Sequence, residues 1–194
     1  MKLLISLLLI GFILAPGYGE AGPFGTRMGQ PKDEFENLRK INSDKPGVES
    51  YTTTKLPKRH SIFKNYVLDF SQNGLISIIG MSEQFDNDRA AQRARNEYEN
   101  LKRQLTEKYG VPVVNESVNP DGLWKKDGEF AMALFKNDRK HYCEWTKDLP
   151  DDLKLIKLLL IPHSSDEVSV AIYYQYKNIE ESQKAQDEME KDSL

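Results

Sequence analysis

The residues able to do nucleophilic or metal chemistry are few: the histidines His60, His141 and His163, and the single cysteine Cys143. His141 and Cys143 stand two apart, so on a strand both side chains face the same side. A zinc site needs three or four ligands, and no further partner stands near this pair in sequence. Nucleophilic use of the pair lacks an orienting third group and an oxyanion hole. No Gly-x-Ser-x-Gly, His-Glu-x-x-His or P-loop spacing occurs either. The expectation is therefore no catalytic residue, no metal and no cofactor.

Carboxylate neighbours such as Asp33 with Glu34 and Asp151 with Asp152 are expected in a chain with 30 acidic residues, and they read as helix-start and turn residues. Lys55, Lys58, Arg59 and His60 form the one basic cluster, near Tyr51 and Phe63, and read as a solvated loop rather than a phosphate dock. The net charge of -3 leaves no broad basic field for a nucleic-acid backbone. Asn115-Glu116-Ser117 matches the glycosylation sequon.

Aromatic residues carry more information. Tyr51, Tyr66, Trp124, Tyr142, Trp145, Tyr173 and Tyr174 are many for one core, and a sheet face bearing Tyr and Trp has the composition of a protein-binding patch. Tyr142, Trp145, Tyr173 and Trp124 are the candidate binding residues. The competing reading packs these rings under the helices.

The elements that must position these residues follow from the apolar spacing. Met1 and Lys2 precede an uncharged, mostly apolar run over residues 3–15, followed by small residues around Gly17, Gly19 and Ala21. A helix of that length spans about 20 Å against a hydrocarbon core of roughly 30 Å, so the run reads as an export signal over 1–19 and not as an anchor. Cleavage falls after Gly19, or alternatively after Ala21. The mature chain, 20–194, is then periplasmic or extracellular, and Cys143 is either a buried thiol or a link between two chains.

Phe35, Leu38 and Ile41 predict a helix over 31–41, and a Thr-rich strand follows over 48–55. Two apolar runs, 63–70 and 75–81, flank Asn73-Gly74 and predict a hairpin. Ala91, Ala94, Tyr98, Leu101, Leu105 and Tyr109 predict a long helix with Asp86 or Asp88 as its cap, its other face solvated by Arg93, Glu97, Glu99 and Lys102. Residues 113–122 read as loop, 124–138 as helix and 142–146 as a short strand. The runs 153–161 and 168–176 pair as a second hairpin, and Asn178 caps an acidic helix with too few apolar residues for deep burial. The fold class is α+β: an antiparallel sheet with helices packed on one face, in two similar helix-strand-hairpin halves, 24–110 and 123–190.

Several stretches carry a resemblance: Phe24-Gly25-Thr26-Arg27-Met28-Gly29, Leu149-Pro150-Asp151-Asp152-Leu153, and Tyr174-Gln175-Tyr176-Lys177-Asn178 before an acidic helix. The chain resembles a family of exported bacterial proteins of unknown function, along essentially the whole mature length. More distantly, residues 29–35 are similar to the helix start of β-lactamase-inhibitor-like envelope proteins, with Pro31 in place of their capping Ser or Thr. The resemblance implies export and no particular activity. The expected function is a non-enzymatic, exported protein-binding module whose partner is an envelope or secreted protein. The alternative is a small-ligand binder or hydrolase whose site assembles from carboxylates and His60 or His141.

Overall fold

The computed structural model describes residues 22–150, 152–181, 184, 187 and 191. The expected export signal lies outside the described residues. Eight strands form one antiparallel sheet: β1 (Arg39–Ile41), β2 (Glu49–Thr53), β3 (Phe63–Ser71), β4 (Gly74–Ser82), β5 (Val113–Val118), β6 (Arg139–Trp145), β7 (Leu153–Pro162) and β8 (Val168–Tyr176). Their spatial order is β1-β2-β3-β4-β8-β7-β6-β5, so two four-stranded meanders meet where β4 pairs with β8. The helix α1 (Gln92–Tyr109) joins the two meanders, and α2 (Phe130–Phe135) lies between β5 and β6. The α+β class with an antiparallel sheet is thus the observed one. Among the described residues no helix is long and apolar enough to cross a membrane.

Strand alternation decides which side chains go under the helices. On β8, Val168, Val170, Ile172, Tyr174 and Tyr176 point to one side, and across the ladder Tyr174 pairs with Ile156 and Ile172 with Leu158. Cys143 pairs with Leu158 and Trp145 with Ile156, which brings β6 into the same layer. The α1 residues Ala94, Tyr98, Leu101 and Leu105, spaced three and four apart, close over it, as do Phe130, Ala131 and Leu134 of α2. Over β3 and β4 the cover is the chain before β1: Phe24 makes edge contacts with Phe63, Tyr66 and Tyr174, and Thr26 Oγ1 is 2.8 Å from the Tyr176 hydroxyl.

The start of α1 shows local chemistry at work. Asp88 Oδ2 accepts the Arg93 backbone N–H at 2.8 Å, satisfying one of the donors that a helix start leaves free. Asp88→Ala is expected to cost about 1 kcal/mol, lowering Tm by roughly 2–4 °C in calorimetry. An unchanged Tm would remove the cap from the account of this helix.

Three expectations are corrected. Residues 31–41 are not a helix: a 3-10 turn at Lys32–Glu34 gives way to left-handed Asn37 and then to β1, because pairing with Ser50, Tyr51 and Thr52 outweighs weak local propensity. Residues 113–122 are not a loop, since 113–118 form the edge strand β5 on β6, and the second meander therefore begins at 113 rather than 123. The helix expected over 124–138 shrinks to a 3-10 turn, Asp127–Glu129, and the six residues of α2, stopped by left-handed Asn137. Of the C-terminal helix, residues 179–181 are helical, with Ile179 buried and Glu180, Glu181, Lys184, Asp187 and Lys191 exposed.

Candidate functional site

Both helices lie on one face of the sheet, since His141 of β6 touches Tyr98 of α1 and Phe130 of α2, with ring centroids 4.5 and 5.3 Å away. The opposite face carries the alternate residues of each strand. Following the register across it, Glu144, Lys157, Tyr173, Ile79 and Val67 make one row, and Tyr142, Leu159, Ala171 and Met81 the next. Of these, Tyr142, Tyr173, Val67, Ile79, Met81 and Leu159 are partly exposed. Lys157 Nζ sits 3.9 Å from the centre of the Tyr142 ring and 2.9 Å from a Glu144 carboxylate oxygen, so one ammonium fixes both neighbours. The Tyr173 hydroxyl accepts from Gln175 Nε2 at 3.1 Å.

One end of this face is held by a buried carboxylate. Asp69 accepts from Ser50 Oγ at 2.7 Å, Ser77 Oγ at 2.8 Å and Lys45 Nζ at 2.8 Å, which satisfies a group that would otherwise be costly to bury. Burial alone lowers the pKa of the Lys45 ammonium, but the hydrogen bond and charge of Asp69 outweigh it and leave it above its ordinary value. This places the β1–β2 connection over the face beside Ser77 and Asp69.

Of the four candidate binding residues, Tyr142 and Tyr173 share the helix-free face, and Trp124 and Trp145 do not. Trp145 is a correction: it is 2% exposed on the helix side, where its indole Nε1 donates to the Gly110 carbonyl at 2.7 Å. Three positions apart on one strand, Tyr142 and Trp145 must face opposite ways. Trp124 is partly buried in the turn after β5, where the Asp138 carboxylate accepts the Leu123 and Trp124 backbone N–H groups.

On the helix side lies a polar cluster of exposed Glu99 and Glu116 with partly buried Lys102 and His141. Glu116 of β5 pairs across the ladder with His141, and its carboxylate accepts from Lys102 Nζ at 2.7 Å and from the Tyr98 hydroxyl at 3.3 Å. Glu99, one residue after Tyr98 on α1, approaches the same ammonium at 3.8 Å. His141 Nε2 is buried and has no hydrogen-bond partner among the described residues. Burial pushes the imidazole down to about 4, with Glu116 opposing and Lys102, Arg95 and Arg139 reinforcing the shift. Burial also pushes the Cys143 thiol up to about 11, and that thiol is free and buried. A neutral, covered thiol is a poor nucleophile, so this strand pair supplies no Cys-His catalysis. His60 lies elsewhere, in an open groove of about 520 Å³ that also takes in Glu83, Glu97 and Arg103.

The neutral His141 predicts a pH effect on stability. Its folded pKa lies below the unfolded value of about 6.5, so the unfolded chain binds the extra proton first and stability falls as pH drops from about 6.5 toward 4. In metal-free buffer, thermal unfolding should show Tm declining through that window, and His141→Gln should flatten the decline. An identical slope in the variant would assign the effect to other groups.

Sequence reasoning saw His141 and Cys143 on one strand face but missed Glu99, Lys102 and Glu116. The first two were read as part of a solvated helix face and the third as loop, and only the β5–β6 pairing unites them. No family model, no curated protein and no solved structure matches this chain. The functional reading therefore rests on the residues and their placement.

Proposed function

We propose that this chain is a non-enzymatic, exported protein-binding module that docks a partner protein on the helix-free face of its sheet. The observation that carries the reading is a set of partly exposed apolar and tyrosine side chains, Tyr142, Leu159 and Met81 around the buried Ala171 in one row and Tyr173, Ile79 and Val67 in the next, on the face away from both helices. Tyrosine gives a large, stiff contact area with one polar end, and such rings dominate binding energy where water is excluded. Lys157 and Glu144 form a charged rim beside them, satisfied by one another at 2.9 Å. Export is supported by the charged start, the apolar run over 3–15 and the small residues near Gly19, and by the likeness to exported bacterial proteins.

The test is a pull-down from the extracytoplasmic fraction with tagged residues 20–194, comparing wild type with Tyr142→Ala and Tyr173→Ala by quantitative mass spectrometry. A saturable partner whose retention falls at least about tenfold in Tyr173→Ala supports the module, since one anchoring aromatic contributes about 2 kcal/mol or more. A partner held equally by both variants, or no enriched partner, overturns it. The second case moves the weight to a small ligand in the groove that joins His60 to Glu83 and Glu97.

A further inference from the structure

We propose that Glu99, Glu116 and His141 form a binding site for a divalent transition-metal cation, on the opposite side of the sheet from the docking face and independent of it. The three residues come from α1, β5 and β6, and one ligand atom from each lies within 4.8 Å of the other two. Around a tetrahedral Zn²⁺ with ligands at about 2.0–2.1 Å, neighbouring donor atoms are separated by about 3.3 Å. Closing the site therefore requires shifts of at most about 1.5 Å. Glutamate torsions absorb movements of that size, and the exposed Glu99 is the freest of the three.

The donor already fixed in place is the imidazole. His141 packs against the Tyr98 and Phe130 rings, its Nε2 is buried without a hydrogen-bond partner among the described residues, and one of its ring nitrogens lies within 4.8 Å of both carboxylates. One nitrogen and two carboxylates are a mixed donor set. Imidazole favours Zn²⁺ and its transition-metal neighbours over Ca²⁺ and Mg²⁺, which prefer oxygen alone. Solvent at the Glu99 side supplies the remaining ligands.

Lys102 occupies the position of a resident counter-ion. Its ammonium lies 2.7 Å from Glu116 and 3.8 Å from Glu99, one positive charge shared by two carboxylates. A divalent cation bound by the same two carboxylates must displace this ammonium. This sets the proposal apart from a purely structural ion-pair network. In such a network Lys102 only stabilises, whereas in a metal site it competes. Binding would also tie α1 to the edge strand β5 and to β6, elements joined otherwise in this region by the Lys102 and Tyr98 contacts to Glu116 and the Tyr98–His141 ring contact.

The experiment titrates residues 20–194 with Zn²⁺ by calorimetry and by thermal unfolding, with Ca²⁺ as comparison. One saturable equivalent of Zn²⁺ with a raised Tm is expected. Glu99→Gln and Glu116→Gln should each weaken it at least about tenfold, and Lys102→Met should tighten it several-fold. Should His141→Gln fail to fold, Glu99→Gln carries the test, because that side chain is exposed and outside the core. Cys143→Ser is expected to leave the affinity unchanged. The proposal is overturned by the absence of saturable Zn²⁺ binding, by equal affinity for Ca²⁺, by indifference to Glu99→Gln, or by loss of binding in Cys143→Ser alone.

Discussion

Trp145→Ala destabilises the fold by about 4 kcal/mol, the expected cost of removing a buried tryptophan. The side chain is 2% exposed and lies on β6 opposite Ile156 of β7, in the layer that α1 covers. Its indole N–H donates at 2.7 Å to the carbonyl of Gly110, the residue that ends α1, so the ring joins the end of that helix to the sheet. Truncation opens a cavity and leaves a carbonyl without its partner, and the two costs add. In urea the midpoint should fall with an unchanged slope. Trp145→Phe, which keeps most of the packing and loses the hydrogen bond, should cost far less. A midpoint for Trp145→Ala within about 0.5 kcal/mol of wild type, the range of ordinary surface substitutions, would show that Trp145 is not structural. The consequence for binding experiments is direct: Trp145→Ala reports loss of fold, and Tyr173→Ala is the variant that reports the docking face.

That contrast shows what local pattern conveys. The hairpin β3–β4, the strands β7 and β8 and the helix α1 were legible because their sequences carry apolar runs or apolar residues spaced on the period of the element, flanked by turn residues. Thus Val168 to Tyr176 alternates, and Ala94, Tyr98, Leu101 and Leu105 recur at helical spacing. β1 and β5 were not legible because each is an edge strand, defined by its one neighbour. Val113 and Val114 are both exposed, so β5 has no buried face to give it a period of two. Residue type alone also failed to sort the aromatics by face. Tyr142 and Trp145 look alike as interface residues, yet the odd separation between them puts one in the open and the other under α1. The Glu99, Glu116 and His141 cluster was hidden for a further reason. It depends on α1 packing over β7 and β8 so that its side chains reach Glu116 of β5 and His141 of β6, a tertiary fact with no counterpart in the spacing of any one segment.

Gly74→Ala should cost about 4 kcal/mol, and the reason is backbone rather than side chain. Gly74 opens β4 at φ 83°, a conformation that costs an L-residue about 1–2 kcal/mol. A Cβ there would stand 2.2 Å from the Gly29 carbonyl oxygen and 2.5 Å from its carbon. Neither atom can retreat cheaply. Gly29 N–H donates to the Leu75 carbonyl at 2.9 Å and Leu75 N–H donates to the Gln30 carbonyl at 3.0 Å, so the chain before β1 is pinned across the turn where the clash occurs. Moving it away sacrifices those bonds, each contributing about 1 kcal/mol, and draws Thr26 and Phe24 off the Tyr176 and Tyr174 side chains they cover. Gly110 supplies the comparison, with the same φ of 83° but no atom within 4 Å of an added Cβ. Gly110→Ala should therefore show only the conformational cost, about 1–3 kcal/mol. The difference between the two variants in chemical denaturation isolates the contact between the β3–β4 turn and the N-terminal segment. Equal losses would mean that the segment at Gly29 is free to move, and that the first meander's core is not sealed by the chain that precedes it.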